Sequence, residues 1–131
     1  MAVKPADIHA IIFDLDGLLI DSEPIWTRVE TLFLERRGLR YDPELGRQSL
    51  GRRVIDVIRF YQEHYGFSGN PEELLNEWIE DYLALTARGI PLRPGADEAV
   101  KELSRRYTTA IASSSPRPLI ERVVAMFHWT D

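Results

Sequence analysis

The sequence of 131 residues contains no cysteine, and this absence excludes several kinds of chemistry. Without a thiol the chain forms no disulfide bond, uses no cysteine nucleophile and builds no cysteine-ligated zinc site. Such a composition is typical of proteins from reducing compartments, and we expect a cytoplasmic location.

Long hydrophobic runs and a surplus of positive charge are also missing. No apolar stretch approaches the length of a membrane span, and the first ten residues lack the apolar centre of a signal peptide. The 21 acidic residues exceed the 16 lysines and arginines, so the net charge is −5. We therefore expect neither a membrane nor a nucleic acid as partner, because nucleic-acid binding relies on a basic surface.

The apolar patterns that are present indicate an α/β protein with a helical insert. Residues 8–13 predict a strand buried on both faces, and residues 107–112 predict a second strand. Between them, helical periodicity covers 23–37, 52–65 and about 70–87, with a turn around 41–43 and a linker over 88–95. Two further helices are predicted over 96–106 and 118–127.

Two candidate strands do not make a complete parallel sheet. We therefore expect further core sequence beyond residue 131 in the parent protein. The open sheet edges of the chain as given could allow self-association.

Two carboxylates, Asp14 and Asp16, directly follow the first predicted strand. In open parallel sheets this end of a strand is where ligands bind. Adjacent carboxylates repel each other unless a cation or a donor intervenes, so they suggest an Mg²⁺ site and a nucleophile for phosphorus. The alternative is a turn and helix cap without chemistry, and for the bare Asp-x-Asp pair the two interpretations are about equally supported.

Three serines, 113–115, follow the second predicted strand in the same way. Hydroxyl and main-chain N–H groups before a helix can hold a phosphate. Taken alone the triplet is more typical of a cap and turn. Together with the aspartates, it suggests a metal site and an anion site at one edge of the sheet.

The motifs resemble a known family. Residues 13–23, FDLDGLLIDSE, are similar to the first signature of the haloacid dehalogenase-like hydrolase superfamily in its phosphoglucomutase-like branch. Residues 111–116, IASSSP, resemble the second signature, and residues 91–95, PLRPG, resemble the hinge that returns from a helical cap. Within that branch the chain is most similar to the hexitol phosphate and 2-deoxyglucose-6-phosphate phosphatases.

The resemblance implies a Rossmann-like parallel sheet core with an inserted helical-bundle cap. The first core strand and the nucleophile loop would occupy residues 1–17. The cap would occupy residues 18–90 and act as a lid. Residues 91–131 would continue the core with a helix, the second strand, the phosphate loop and a further helix, and the remainder of the core would be absent.

The resemblance also implies roles for single residues. Asp14 would be the nucleophile and a ligand of Mg²⁺. Asp16 would be the general acid and base, with its main-chain carbonyl on the metal. Ser113 and the N–H of Ser114 would bind the phosphoryl oxygens, while Gly17 would let the backbone approach the substrate.

Cationic and aromatic residues of the predicted cap are further candidates. Arg52 and Arg53 could bind a substrate phosphate or hydroxyl, although a solvated helix start is an equally good interpretation. We expect Trp26 to pack inside the cap. Many sugar-phosphate mutases of this branch carry a histidine at that position, so the tryptophan favours a phosphatase.

These expectations combine into an Mg²⁺-dependent phosphatase that hydrolyses small phosphorylated sugars or polyols through an aspartyl-phosphate. Two alternatives stay open: a sugar phosphomutase, or a catalytically incomplete fragment that binds only metal and phosphate. The family's catalytic lysine should follow Ser115, yet no lysine occurs after Lys101. The last acidic metal ligands are also missing from the predicted elements, so we expect weak or no activity from the chain as given.

Overall fold

The computed structural model describes residues 4–130, which form two strands and six α-helices in an α/β arrangement. The predicted core segments 1–17 and 91–131 include residues 1–3 and residue 131, which lie outside the described range. Strand β1 spans Ala10–Phe13 and strand β2 spans Thr108–Ile111. The helices are α1 (Glu23–Glu35), α2 (Pro43–Ser49), α3 (Val54–Tyr65), α4 (Pro71–Leu85), α5 (Ala96–Ser104) and α6 (Arg117–Met126).

The two strands pair in parallel, with Ala10 opposite Thr108 and Phe13 opposite Ile111. The pairing continues past β2, where the N–H of Ala112 donates to the Phe13 carbonyl at 2.9 Å. Both strands therefore end at the same edge of the sheet. The segments that follow them, which contain the aspartates and the serines, leave from that edge together.

Strand β1 is not buried on both faces, and the sequence-based expectation on this point is wrong for the described residues. Phe13 is 8% exposed, whereas Ile12 is 70% exposed. Within residues 4–130, β1 pairs with β2 alone. The pattern of apolar residues predicted a covered strand because it records side-chain chemistry and contains no information about which neighbours are present.

Helices α1 to α4 lie between the two strands in sequence and form the predicted helical insert. Helix α4 packs against both α1 and α3. The buried aromatic residues of this bundle include Phe33, Trp78 and Tyr82, each at most 1% exposed. The rings of Phe33 and Trp78 pack edge to face with centroids 5.4 Å apart, a favourable geometry for aromatic pairs.

Helix α2 was not predicted, because the corresponding sequence was interpreted as a turn. The Asp42 side chain accepts a hydrogen bond from the Glu44 N–H at 2.8 Å, and Pro43 occupies the first turn. These are ordinary helix-start features. With only seven residues, α2 is too short to show a helical period in the sequence.

The insert leaves and rejoins the sheet through two segments that lie side by side. The Asp21 N–H donates to the Pro91 carbonyl at 2.8 Å, and the Arg93 N–H donates to the Leu19 carbonyl at 2.9 Å. Ile20 and Leu92 form an antiparallel bridge between these hydrogen bonds. The two ends of the helical insert are thus adjacent. Within residues 4–130, no helix is both long and apolar enough to cross a membrane.

Candidate active site

The chain makes a tight turn immediately after β1. The Leu15 carbonyl accepts hydrogen bonds from Leu18, Leu19 and Ile20 at 3.2, 3.0 and 3.2 Å. Gly17 has a φ of 78°, which glycine adopts without the strain that an L side chain would cause. Leu15 is 1% exposed, whereas the residues on either side of it, Asp14 and Asp16, line a cavity.

The Asp16 carboxylate accepts hydrogen bonds from four side chains. Its Oδ1 receives the Ser22 hydroxyl at 2.6 Å and the Trp26 indole N–H at 3.1 Å. Its Oδ2 receives the hydroxyls of Ser113 at 3.1 Å and Ser115 at 2.6 Å. The carboxylate therefore joins the turn after β1, the start of α1 and the loop after β2, and its orientation is fixed by all three.

Asp14 is exposed, in contrast to Asp16. Its Oδ1 accepts the Leu15 N–H at 2.8 Å, and no other hydrogen bond to its side chain occurs within residues 4–130. A carboxylate with a free oxygen at the edge of a cavity can bind a cation or attack an electrophile.

The cavity has a volume of about 730 Å³, which lies in the usual range for sites that bind small molecules. One wall belongs to the sheet edge and includes Asp14, Asp16, Gly17, Ser114 and Ser115. The other wall belongs to the helical insert. A ligand in the cavity would therefore contact both parts of the chain.

The structure brings most of the candidate residues together. Asp14, Asp16, Gly17, Ser114 and Arg52 line the cavity. The guanidinium of Arg52 lies 4.9 Å from the centroid of the Phe60 ring, so this cation is held beside the cavity.

Two candidate residues lie outside the cavity wall. Ser113 is behind it, where its hydroxyl binds Asp16 and accepts the Ser115 N–H at 3.1 Å. Arg53 pairs with Asp56 at 2.9 Å at the start of α3. This position agrees with the alternative interpretation of Arg53 as a solvated helix start.

Sequence reasoning did not identify any of the four residues as a donor to Asp16; it interpreted Ser113 as a phosphate ligand and Trp26 as a packing residue. Ser22 precedes α1, but its hydroxyl makes no cap hydrogen bond and is used for Asp16 instead. Trp26 packs against Tyr82, with ring centroids 4.6 Å apart, in line with the packing expected for it. One pattern in the sequence could have predicted that Ser22 and Trp26 share a contact. The two residues are four positions apart, so their side chains face the same side of a helix.

The cap side of the cavity contains a buried carboxyl group, Glu30, which is 9% exposed. Its Oε2 accepts a hydrogen bond from the Tyr61 hydroxyl. Burial raises the pKa of Glu30 to about 7, and the hydrogen bond from Tyr61 opposes this shift. Burial and the neighbouring Glu30 charge also raise the pKa of Tyr61.

Within the described part of the chain, no three histidine, aspartate or glutamate side chains gather into a group that could hold a metal ion. Asp14 nevertheless offers an exposed carboxylate, and Mg²⁺ in proteins often uses one or two carboxylates and keeps several waters. The donor chemistry of Asp14 and Asp16 therefore fits part of a magnesium site.

Comparison with known proteins gives related sequences and structures. The family model described as haloacid dehalogenase-like hydrolase matches residues 8–131. The chain is 33% identical over 134 residues to hexitol phosphatase B of Escherichia coli, covering 97% of this chain and 59% of that protein. It is 35% identical over 98 residues to (DL)-glycerol-3-phosphatase 2 of Arabidopsis thaliana, covering 73% of this chain and 40% of that protein.

Solved structures agree with this relationship. The crystal structure of CbbY from Rhodobacter sphaeroides in complex with phosphate superimposes with a TM-score of 0.76 and 27% identity. The match covers 89% of this chain and 56% of CbbY, so the chain spans little more than half the length of that protein. On the evidence of the family match across residues 8–131, the chain belongs to the haloacid dehalogenase-like hydrolases.

Proposed function

We propose that this chain carries the nucleophile, the acid–base group and the cap of a phosphatase that acts on small phosphorylated sugars or polyols. The observation that carries the proposal is the meeting of two strand ends at one cavity. Asp14 and Asp16 follow β1, while Ser114 and Ser115 follow β2, and all four line the same space. The names of the related phosphatases support the choice of reaction.

The first step transfers the phosphoryl group to Asp14. An oxygen of its carboxylate forms a bond to phosphorus while the bond from phosphorus to the ester oxygen breaks. The ester oxygen keeps the electron pair and takes a proton from Asp16, so the alcohol leaves neutral. This step requires a proton on an Asp16 oxygen that faces the leaving group. The Ser113 hydroxyl, which now donates to Oδ2, would turn away to make room for it, and the donors that remain would hold the orientation of the carboxyl group.

The second step releases phosphate. Asp16, now a carboxylate, accepts a proton from a water molecule as the water oxygen attacks the phosphorus of the aspartyl-phosphate. The bond from phosphorus to Asp14 breaks and the carboxylate is restored. Dividing one difficult displacement into two steps lowers each barrier.

The phosphoryl oxygens need donors and positive charge. We assign the donors to the Ser113 hydroxyl and the Ser114 N–H. The Ser113 hydroxyl lies 3.1 Å from Asp16 and would have to turn from Asp16 toward the substrate. Magnesium, held by the Asp14 carboxylate and the main-chain carbonyl of Asp16, would reduce the repulsion between Asp14 and the phosphoryl group.

The leaving alcohol would occupy the cap side of the cavity. Arg47 and Arg52 are the cationic side chains in its lining. Arg47 is paired with Glu44, which leaves Arg52 as the better candidate for a substrate hydroxyl or phosphate. The lid movement expected of the cap would close this side over the substrate.

A sugar phosphomutase is the alternative within the same family. It would return the phosphoryl group from Asp14 to a second oxygen of the sugar. Trp26, which donates to Asp16, occupies the position where many mutases of this branch carry a histidine. The tryptophan therefore favours hydrolysis.

Phosphate release from a panel of esters tests the proposal. We expect Mg²⁺-dependent release of phosphate from hexitol phosphates and glycerol 3-phosphate. Phosphorus NMR of the same samples detects transfer of a phosphoryl group to another oxygen, the reaction of a phosphomutase. Conversion of a sugar 1-phosphate to its 6-phosphate without release would support the mutase. Failure of every ester to react, in a folded protein, would contradict both activities for the chain as given and would support the catalytically incomplete fragment.

A further inference from the structure

Helix α1 turns one face toward the cavity. Glu23, Trp26, Thr27 and Glu30 line it, and their spacing places them on the same side of the helix. Trp26 is the member of this face that donates to Asp16. Glu30 comes four residues later, which corresponds to about 6 Å along the helix axis. The proposed reaction takes place at one end of this face, and Glu30, which the reaction does not use, lies one turn farther into the helical insert.

Glu30 is a buried acid with one unused oxygen. It is 9% exposed, its Oε2 accepts from Tyr61, and its Oε1 accepts no hydrogen bond within residues 4–130. Among the described side chains, Trp78 Nε1 is the one nitrogen or oxygen atom that is fully buried without a partner. Oε1 of Glu30 therefore retains accessible surface. Because Glu30 lines the cavity, a ligand in the cavity can reach this oxygen.

No cation of the described residues neutralises Glu30. Burial raises its pKa to about 7, the hydrogen bond from Tyr61 opposes this shift, and no cationic side chain contributes to it. Arg47 and Arg52 also line the cavity, but Arg47 pairs with Glu44 instead. Buried carboxylates in proteins are normally paired with a cation, because the charge otherwise loses its hydration without compensation. A positively charged group on a ligand would supply the missing partner.

The neighbouring walls suit an ammonium group. Trp26 and Tyr41 line the cavity and are only partly buried, and aromatic rings attract cations. Burial, followed by the charge of Glu30, raises the pKa of Tyr41, so this phenol lies within electrostatic reach of the carboxyl group and stays neutral beside it. A second phosphate or a carboxylate of a ligand would be repelled here by Glu30 and by Glu23.

We propose that Glu30 is the acceptor of a subsite for a protonated amino group in the organic part of the phosphate ester, with Trp26 and Tyr41 as aromatic walls. The subsite rests on the proposed phosphatase function and narrows its substrate class to phosphorylated amino sugars and amino alcohols. The amino group must lie several bonds from the ester oxygen, since Glu30 is one helical turn beyond the residue that contacts Asp16. A neutral hydroxyl at the same place gains less, because it forms no ion pair with the carboxylate.

Calorimetric titration of the 131-residue protein with three probes in the presence of Mg²⁺ tests the subsite. The probes are inorganic phosphate, glucose 6-phosphate and glucosamine 6-phosphate, and the two sugars differ only in the hydroxyl or amino group at carbon 2. We expect glucosamine 6-phosphate to bind about tenfold more tightly than glucose 6-phosphate. Glu30→Gln should remove most of this preference. Glu35→Gln, at an exposed position at the end of α1, is the matched control and should retain it.

Carbon NMR of the side-chain carboxyl groups of the wild-type protein gives a second measurement that needs no variant. Bound glucosamine 6-phosphate should lower the pKa of Glu30 from about 7, because a nearby cation favours the charged form. Bound glucose 6-phosphate should leave this pKa unchanged. The same Glu30 pKa with either sugar bound would overturn the subsite, whether or not Glu30→Gln folds.

The outcomes of the titration separate the subsite from the function on which it rests. Equal affinities of the wild-type protein for the two sugars overturn the subsite and leave the phosphate site intact. Binding of no probe, inorganic phosphate included, overturns the phosphatase proposal and the subsite with it. A preference for the amino sugar that persists in Glu30→Gln, shown to be folded by thermal melting, also overturns the subsite.

Discussion

Asp16 is held by donors from two separate parts of the chain, and this is the feature at the scale of single residues that most affects chemistry. Two donors come from the start of α1 and two from the loop after β2. Their hydrogen bonds orient one carboxylate beside the exposed Asp14. The assignment of acid–base chemistry to Asp16 implies that the donors that stay on Asp16 during the reaction, Trp26 among them, contribute to rate.

Replacing Trp26 with phenylalanine tests this implication. The Trp26→Phe variant keeps an aromatic ring against Tyr82 and removes the donor 3.1 Å from Asp16. Because misorientation of an acid–base group raises the barrier of the chemical step, we expect kcat to fall by about tenfold, which corresponds to about 1.4 kcal/mol. Steady-state kinetics measure the effect.

Trp129→Phe is the matched control for this substitution. Trp129 donates to Asp97 at 2.9 Å, outside the cavity, and its replacement should leave kcat unchanged. Equal kcat values for the wild type and Trp26→Phe would show that the contact with Asp16 has no part in the reaction.

Glu30 makes stability depend on pH. Its pKa is about 7 in the fold against an ordinary value of 4.5, so the folded state binds more protons than the unfolded state between these values. The contribution of Glu30 to the free energy of unfolding should therefore be largest below pH 4.5. It should fall by about 3 kcal/mol as the pH rises through 7. The neighbouring phenols of Tyr41, Tyr61 and Tyr65 have raised pKa values and stay neutral in this window.

Urea denaturation at a series of pH values measures this slope. The Glu30→Gln variant has no carboxyl group to titrate, and the difference between its stability and that of the wild type should change across the window. Parallel curves for the two proteins would contradict the assignment.

Single residues also show where sequence reasoning stops. Asp14, Asp16 and Gly17 could be proposed from one contiguous motif and Ser114 from a second one, because each motif is read directly from the sequence. Glu30 and Trp78 could not, because 48 positions separate them in the chain and only the packing of α1 on α4 brings them to one cavity.

Helices and strands were predicted well where their ends carry chemical signals. Asn70 caps α4 by accepting the Glu72 N–H at 2.9 Å, and Gly66 ends α3 with a φ of 76°. Both features can be read directly from residue type. Helix α2 was missed, because its short length gave no period to support the start signal at Asp42 and Pro43.

The cap of α4 gives a prediction at the scale of an element. Asn70→Ala removes the acceptor for the Glu72 N–H and should lower the free energy of unfolding by about 1 kcal/mol. Asn76→Ala, at an exposed position inside the same helix, is the control and should not destabilise, because alanine favours helix. Thermal denaturation of the two variants compares them, and equal melting temperatures would contradict the role of the cap.

At the scale of the whole molecule, the parallel pairing of β1 with β2 and the six helices confirm the predicted α/β fold. The assignment of the inserted helices to a cap stays a prediction. The exposure of Ile12, at 70%, was not predicted. A sequence pattern predicts which face of a strand is apolar, but the burial of that face depends on which elements pack against it. The match with this chain covers 59% of hexitol phosphatase B. Self-association through the open sheet edges stays a prediction.

The central claim is that Asp14 is the nucleophile of a Mg²⁺-dependent phosphatase. Its most direct test is the hydrolysis of para-nitrophenyl phosphate by the wild-type chain and by Asp14→Asn, each with and without Mg²⁺. Asp21→Asn is the control, since Asp21 follows the same strand but does not line the cavity. We expect slow, Mg²⁺-dependent turnover that persists in Asp21→Asn and disappears in Asp14→Asn. Measurable turnover that is equal in the wild type and Asp14→Asn would contradict the account, whereas no turnover from folded wild-type protein would identify the chain as the catalytically incomplete fragment.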